Sequence, residues 1–432
     1  MHELARELNQ ALKDSVIGSL LSETGRRMFF PKGIVAQSAE ATEKAKRFNA
    51  TAGLATLGGQ AMHLRDIFDQ FVPGSFVPND IFSYAPGGGD MRLRKLWLEE
   101  MIVKNPTLNG KKISMPLVTA GLTNGLAMVA SLFVDPGDTF VLPDLNWDNY
   151  ELIYHHQYGA NVQKFPSFTG EGGFNVPGLL NVLESAGTKK AHLLLNFPNN
   201  PTGYSLTETE QDELVEGLVA LAEKGMILNV IIDDAYFGLF FEDDIAKESI
   251  FAKLCAAHER ILAIKSDGAT KEAMVWGFRI GFLTYGAKGL TDRQHDALDK
   301  KTLAAIRTSV SNCDRPGQSL LIKAMQEGQR YEIDKQAVFS EMKQRYLVLK
   351  ETLKSFEGDE NLIPYPFNSG YFMAFKTRKS AEELRRHLLD RYEVGTINIA
   401  DTTLRVAYCS VDLEKVGELI ELVYQAAGEI WN

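Results

Sequence analysis

At 432 residues, with 45% hydrophobic and 24% charged side chains, the chain has the composition of a folded globular protein and exceeds one ordinary core. A formal net charge of −10 argues against a general nucleic-acid or anionic-membrane surface, though not against a local basic pocket. Cys255, Cys313 and Cys409 stand far apart without CxxC spacing, the usage of a reducing compartment.

The opening MHELARELNQALKDS sets Leu at helical spacing among charges and has no apolar core, so it does not read as a secretory signal. No stretch reaches the roughly 18 uninterrupted apolar residues of a membrane span, and a cytoplasmic location is expected. Helical pieces are predicted over 4–12 and 40–48, separated by a break at Pro31-Lys32-Gly33. The small residues 49–53, ending in Gly53, form a turn that reads as an ordinary loop, though backbone could approach a ligand there.

Pro86 and three glycines then turn into Asp90, an N-cap candidate, and Leu93, Trp97 and Met101 mark a helix bracketed by Tyr84 and Arg94. Residues 117–120 form a short strand leading into Gly121-Leu122-Thr123-Asn124-Gly125 and an apolar helix over 126–134. A strand, a small polar turn and a helix in that order offer free backbone N–H groups and the positive end of a helix dipole to an anion. The turn is neither a P-loop nor a dinucleotide fingerprint.

A second strand, 139–142, precedes a polar loop carrying Trp147, an aromatic placed either to stack on a flat ligand or to fill a groove. The strand 191–195 runs into Asn196-Phe197-Pro198-Asn199-Asn200-Pro201, a rigid turn that aims Asn200 and offers Asn200-Pro201 as a candidate cis bond. A helix over 207–223 opens with the capping pattern Thr207-x-x-Glu210. The run 229–236 reads as a buried strand with two carboxylates at its exit, and Asp233 and Asp234, being adjacent, point to opposite sides.

The apolar strand 261–264 ends in SDGATKEAMVWGFRIGF, which holds Lys271 and Arg279. An amine in such a pocket loses its proton readily, because burial and a neighbouring cation disfavour the ammonium; that suits a Schiff-base nucleophile. Arg279 supplies such a cation and forks onto phosphate. A lone lysine in a Gly-containing loop is also compatible with a solvated surface, and Lys265 nearby shows how little one lysine means. Residues 300–306 read as helix and 307–312 as a polar loop; from Gln318 the chain is helix-rich, with late strands at 370–376 and 403–408 and helices at 381–392 and 413–427.

Five ligand-like turns thus follow strands in order: Gly121-Leu122-Thr123, Trp147, Asn200-Pro201-Thr202-Gly203, Asp233-x-Ala235-Tyr236, and Lys271 with Arg279. The order resembles the pyridoxal-phosphate aminotransferases of fold type I, in the branch that includes aspartate aminotransferase. The resemblance implies an α/β fold: a large domain with a mostly parallel mixed sheet sandwiched by helices, plus a smaller α/β domain. The expected division is an N-terminal segment, 1–75, packing with the small domain; a cofactor-binding domain, 76–315; and a small domain, 316–432.

By resemblance Lys271 is the Schiff-base lysine, Arg279, Gly121, Leu122 and Thr123 hold the phosphate, and Asp233 pairs with the pyridine nitrogen. Tyr236 and Asn200 donate to the ring oxygen, Trp147 stacks on the ring, and Arg405 holds the substrate α-carboxylate. Tyr84 resembles a tyrosine that reaches the neighbouring subunit's cofactor, implying a homodimer with shared sites. Arg307 resembles the arginine that meets a second carboxylate from the neighbouring subunit; it also reads as a surface arginine at a helix end. Gly268 departs from the serine many relatives carry three before the lysine, and Leu145 from a proline two before the tryptophan. The expected activity is transamination between an L-amino acid, aspartate or aromatic, and 2-oxoglutarate, with no nucleic acid, membrane or metal involved. Rival readings are a lyase or decarboxylase on the same fold, which has no need of Arg307, and a non-catalytic cofactor-binding sensor domain.

Overall fold

The computed structural model describes residues 1–31 and 33–431; Lys32, in the expected break at 31–33, lies outside the described residues. Four helices open the chain: α1 (Glu3–Leu12), α2 (Val16–Leu20), α3 (Glu23–Arg27) and α4 (Ile34–Lys44). There follow α5 (Met91–Lys104), β1 (Leu117–Thr119), α6 (Leu122–Phe133), β2 (Thr139–Pro143), β3 (Asn161–Phe165), β4 (Lys190–Asn196), α7 (Glu208–Glu223), β5 (Ile227–Asp233) and β6 (Ile261–Asp267). Next come α8 (Ala269–Glu272), β7 (Gly281–Gly286), α9 (Asp292–Ser309), α10 (Gln329–Lys354), β8 (Leu362–Pro364), β9 (Met373–Thr377), β10 (Ile397–Ala400) and β11 (Thr403–Val406).

The architecture is α/β, with a seven-stranded sheet ordered β1-β7-β6-β5-β4-β2-β3. β7 runs antiparallel to both its neighbours and the other pairings are parallel. Alternation divides the core between the sheet's two faces: Leu194, Ile231 and Ile264 join one cluster, Leu193, Leu195, Val230 and Ile232 the other. Because β4, β5 and β6 are in register, Asn196, Asp233 and Ser266 end side by side at the carboxyl edge. Ligands bind at that edge in open α/β sheets.

A four-stranded antiparallel sheet, β8-β9-β11-β10, carries Arg405 on β11. The N-terminal segment attaches to it: Phe48–Asn49 pair in parallel with Val394–Gly395, and the Asn398 N–H donates to Gln37 Oε1 at 2.8 Å. This corrects the helix expected over 40–48. It ends at Lys44, because the Arg47 and Phe48 N–H groups bond to the Glu393 carbonyl, a partner no local pattern reveals.

Other boundaries move for related reasons. β5 stops at Asp233, β6 runs on to Asp267, and α6 begins at Leu122 with Gly121 as its N-cap. α9 extends through Ser309, so Arg307 lies in a helix's last turn and not in a loop. Thr207 and Glu210 close the expected capping box on α7. Asn200-Pro201 is cis, as is Phe197-Pro198, which the sequence reading did not single out. No helix among the described residues is long and apolar enough to cross a membrane.

Candidate active site

A cavity of about 250 Å³ opens above the carboxyl ends of β4, β5 and β6 and is lined by Leu122, Thr123, Trp147, Asn200, Asp233, Tyr236, Lys271, Arg279 and Arg405. The turn before α6 forms one wall. Gly121 has φ +81°, a left-handed conformation that favours glycine, and a Cβ there would stand 2.5 Å from Arg279 Nη2. No side chain caps α6, so the N–H groups of its first turn face the cavity mouth together with the Arg279 guanidinium. Backbone donors, a helix dipole and an arginine make an anion site.

The floor is built by β5 and the turn after β6. Burial pushes the Asp233 carboxyl up to about 6, against the Tyr150 hydroxyl, Lys271 and the Ala235 N–H, which favour its anion. Tyr150 Oη donates to Asp233 Oδ2 at 2.8 Å, and the Ala235 N–H donates to Oδ1 at 3.0 Å. Burial pushes the Lys271 amine down to about 8, with Asp233 opposing and Arg279 reinforcing the shift. Its Nζ lies 4.9 Å from the centre of the Tyr236 ring. Burial also holds the Tyr236 hydroxyl protonated, well above its ordinary range.

The far wall joins the two sheets. Arg405 is 2% exposed. It donates from Nη1 to Asn200 Oδ1 at 2.9 Å and from Nη2 to the Thr51 carbonyl at 2.6 Å, while its guanidinium lies 4.5 Å from the centre of the Phe372 ring. Its Nε is buried with no partner among the described residues. An unmet donor on a buried cation is costly, and a carboxylate arriving from the cavity would meet it. Asn200 is itself held by its backbone N–H, which donates to Asn196 Oδ1 at 2.8 Å. Trp147 is half-buried on the cavity wall, edge-on to Tyr150 at 5.5 Å.

Two expected residues lie elsewhere. Tyr84 is 89% exposed and outside the cavity, and Arg307 is exposed, donating to Ser311 Oγ at 2.6 Å. Neither lines the cavity. The two departures have structural causes or consequences. A Cβ on Gly268 would lie 2.7 Å from the Ile280 carbonyl oxygen and 2.8 Å from Leu122 Cδ1, so a serine does not fit where the chain runs. Leu145 is buried, and its N–H bonds to Ser167 Oγ and Asp144 Oδ1, which fixes the loop before Trp147 without a proline.

Sequence reasoning missed several lining residues. Thr270 is buried at the cavity with its Oγ1 unpartnered among the described residues, a hydroxyl two residues past the glycine that lacks one. Ile34 and Ser38 reach the cavity from one face of α4, an i, i+4 pair whose only sequence signal is its spacing. The turn at Thr51, Ala52 and Gly53, read as an ordinary loop, lines the cavity; a Cβ on Gly53 would meet Phe372 Cζ at 2.9 Å and Tyr236 Oη at 3.2 Å. Among the described residues no cluster of His, Cys, Asp or Glu has the makings of a metal site.

The donor set suits a phosphorylated, nitrogen-containing aromatic aldehyde. Arginine and helix N–H groups suit its phosphate, a carboxylate its protonated ring nitrogen, and an amine of lowered proton affinity its carbonyl carbon. The orphaned Thr270 hydroxyl and Arg405 Nε add donors awaiting oxygen.

A family model described as aminotransferase class I and II matches residues 78–423. An aspartate aminotransferase of Thermotoga maritima is 26% identical over 69% of this chain and 72% of its own length. Aromatic-amino-acid aminotransferase 2 of Thermococcus litoralis is 26% identical over 46% of this chain, and the match spans 48% of that relative. Among solved structures, an aminotransferase from Anaerococcus prevotii superposes with a TM-score of 0.83 at 23% identity, covering 93% of this chain and 98% of that one.

Proposed function

The chain belongs to the class I and II aminotransferases, enzymes that work with pyridoxal phosphate, and from that premise we propose the substrates it takes and the part each residue plays. The reading is transamination between L-aspartate or an aromatic L-amino acid and 2-oxoglutarate, in two half-reactions through one site. The observation that carries it is the buried Arg405 with its unmet Nε, held by Asn200 in the cavity that contains Lys271 and Asp233.

Bound pyridoxal phosphate supplies the electron sink that lets a bond to the amino acid's α-carbon break heterolytically. Arg279, the N–H groups of Leu122 and Thr123 after Gly121, and the Thr270 hydroxyl would hold its phosphate. Asp233, oriented by Tyr150, keeps a proton on the ring nitrogen by charge pairing. Tyr236 donates to the ring oxygen from its hydroxyl and Asn200 from its amide nitrogen, since the amide oxygen serves Arg405. Trp147 stacks on the ring. Arg405 forks onto the α-carboxylate and so orients the bond to be broken. Lys271, whose amine burial makes easier to deprotonate than usual, takes the α-proton at Nζ and returns it as general acid.

The reading includes a homodimer in which the partner subunit's Tyr84 and the partner subunit's Arg307 complete the cofactor and substrate pockets. Two exposed aromatics two residues apart, Phe82 at 86% and Tyr84 at 89%, support it, since neighbouring bare apolar groups mark interaction surfaces. It also divides the chain at about residues 75 and 315, supported by the pairing of Phe48–Asn49 with Val394–Gly395. Neither the lyase nor the sensor reading is favoured by the relatives, which are named as aminotransferases.

The test is the visible absorption spectrum of protein with pyridoxal phosphate, before and after L-aspartate, L-glutamate or L-phenylalanine. The expected result is a cofactor band bleached by glutamate and by one of the other two, then restored by 2-oxoglutarate. A band that none of the three moves overturns the substrate assignment, and a band that survives Lys271→Ala overturns the lysine's role.

A further inference from the structure

The residue after Lys271 turns away from the cavity. Glu272 points into a separate cleft behind β5 and β6, lined also by Trp97, Glu100, Lys104 and Lys265. Its Oε1 pairs with Lys104 Nζ and, at 2.7 Å, with Lys335 Nζ. Glu100 Oε1 pairs with the same two ammonium groups, at 2.7 Å to Lys104 and 2.5 Å to Lys335. The four side chains form a closed ring of two cations and two anions, none more than 26% exposed. It joins three elements: α5 through Glu100 and Lys104, α8 through Glu272, and α10 through Lys335.

α8 is seated in the core by Ala269 and Ala273, both fully buried, but is short. It is four residues long, has no side-chain N-cap, and is followed by Met274 at φ +55°. A single turn of helix is unstable by itself. The Lys271 carbonyl accepts from Tyr371 Oη at 3.3 Å and from the Met274 N–H at 3.4 Å, and among the described residues Lys271 Nζ makes no ion pair. α10, in contrast, is 26 residues long and fastened at a second point. Arg345, fully buried ten residues past Lys335, donates from Nη1 to the Cys409 carbonyl at 2.6 Å and from Nη2 to the Thr56 carbonyl at 2.8 Å. Cys409 lies four residues beyond Arg405. One helix, over about 15 Å of its length, thus grips the turn of Lys271 at one end and the segment after Arg405 at the other.

We propose that Glu272 is a positioning residue for Lys271: its ion pairs to Lys104 and Lys335 clamp α8 against α10 and set the amine's reach toward a substrate held by Arg405. The inference rests on the roles given above to Lys271 and Arg405. The ring acts by position rather than by field. Its four members balance in charge, with the exposed Glu332 also 3.3 Å from Lys335, and the proton affinity of Lys271 answers to burial, Asp233, Arg279 and Cys409, none of which belongs to it.

The test measures, on cofactor-loaded protein, the rate at which a saturating amino donor bleaches the cofactor band. Beside it stand the donor's dissociation constant, the cofactor's dissociation constant and the pH titration of the band. In Glu272→Gln and Lys335→Gln the saturating rate is expected to fall about 10- to 100-fold, the cost of a small misplacement at a reacting centre. Both dissociation constants stay within about twofold, and because the two variants change the ring's charge in opposite senses, a shared loss of rate separates position from field. The double variant is no slower than the slower single, since the clamp works as a unit, and Lys335→Arg keeps most of the rate.

Unchanged rate per loaded site with only a lowered melting temperature overturns the proposal, as does additivity in the double variant. Should Glu272→Gln not fold, Lys335→Gln and Lys335→Arg on the other helix decide it by the same readings. Failure of the Lys271 role itself shows separately, as a Lys271→Ala variant that keeps its cofactor band and its turnover.

Discussion

Strands β5 and β6 place the same residue types on two sides of their carboxyl ends, and the two sides do opposite things with them. On the back, Lys265 is fully buried between Asp234 and Asp267, at 3.0 Å from the latter. Ser249 Oγ completes Asp234 at 2.7 Å, and Trp97 Nε1 reaches Asp267 at 3.3 Å. On the front, Asp233 and Lys271 face a cavity; each influences the other's protonation, but they form no ion pair. Burial disfavours both ammonium groups, yet Lys265 is raised above its ordinary range by its two carboxylates while Lys271 falls to about 8. Buried charge that is fully paired specifies structure, and buried charge left short of partners is a site awaiting a ligand.

The sharpest way to break this comparison is to exchange the two lysines' fates. Lys271→Ala is expected to lower turnover by at least about 10⁴-fold, since both the nucleophile and the proton carrier are lost. Removing an unpaired buried cation should leave the melting temperature of cofactor-free protein unchanged or raised. Lys265→Met should do the reverse, leaving Asp234 and Asp267 buried without their cation at about 3–5 kcal/mol of stability. Turnover per loaded site should then survive. Thermal melts and cofactor-normalised turnover check both; equal loss of stability in the two variants would erase the distinction.

Legibility in the sequence followed the same division. Asp233 and Asp234 were separable because alternation along a strand is local, and the turns at Gly121, Asn200 and Lys271 announced themselves by small and rigid residues after apolar runs. The residues supplied by distant elements gave no such signal. Tyr150 on Asp233, the face of α4 carrying Ile34 and Ser38, and the pairing of Phe48–Asn49 with Val394–Gly395 each depend on where a remote segment packs. Nothing local in the sequence brings Lys104 and Lys335 together, because Glu272, which pairs with both, lies on neither of their helices. Arg307 was misplaced in a loop because its neighbours Thr308 and Ser309 are weak helix formers, yet α9 carries through them.

A smaller effect probes how tightly the front is shaped. Gly268→Ser supplies the hydroxyl that the family resemblance leads one to expect there, but its Cβ would press on the Ile280 carbonyl and Leu122. The expected result is a loss of about 1–3 kcal/mol in stability, the range for overpacking, with no gain in cofactor affinity. Urea unfolding and a cofactor titration check it. Tighter cofactor binding at unchanged stability would mean that the wall yields and that the Thr270 hydroxyl does not already serve.

The last effect is a pH slope in the cofactor-free protein, gentle over any one unit, and its sign differs between the two front charges. Lys271 titrates at about 8 in the folded chain against an ordinary 10.5, so between those values the unfolded chain holds a proton the folded chain has released. Its contribution to stability therefore rises with pH across that window and is lost as pH falls toward 8. Asp233 titrates at about 6 against an ordinary 3.8, so between those values the folded chain holds the extra proton and stability falls as pH rises. Both groups are charged between pH 6 and 8, where together they weaken the cofactor-free fold most. The measurement is the difference in unfolding free energy between the parent and Lys271→Ala, which should climb from pH 8 to 10.5 by at most about 1.4 kcal/mol per unit. The difference between the parent and Asp233→Asn should decline from about pH 4 to 6. Two flat differences would mean that neither front charge is held at a cost when the cofactor is away, and the contrast with the paired triad behind the sheet would fail with them.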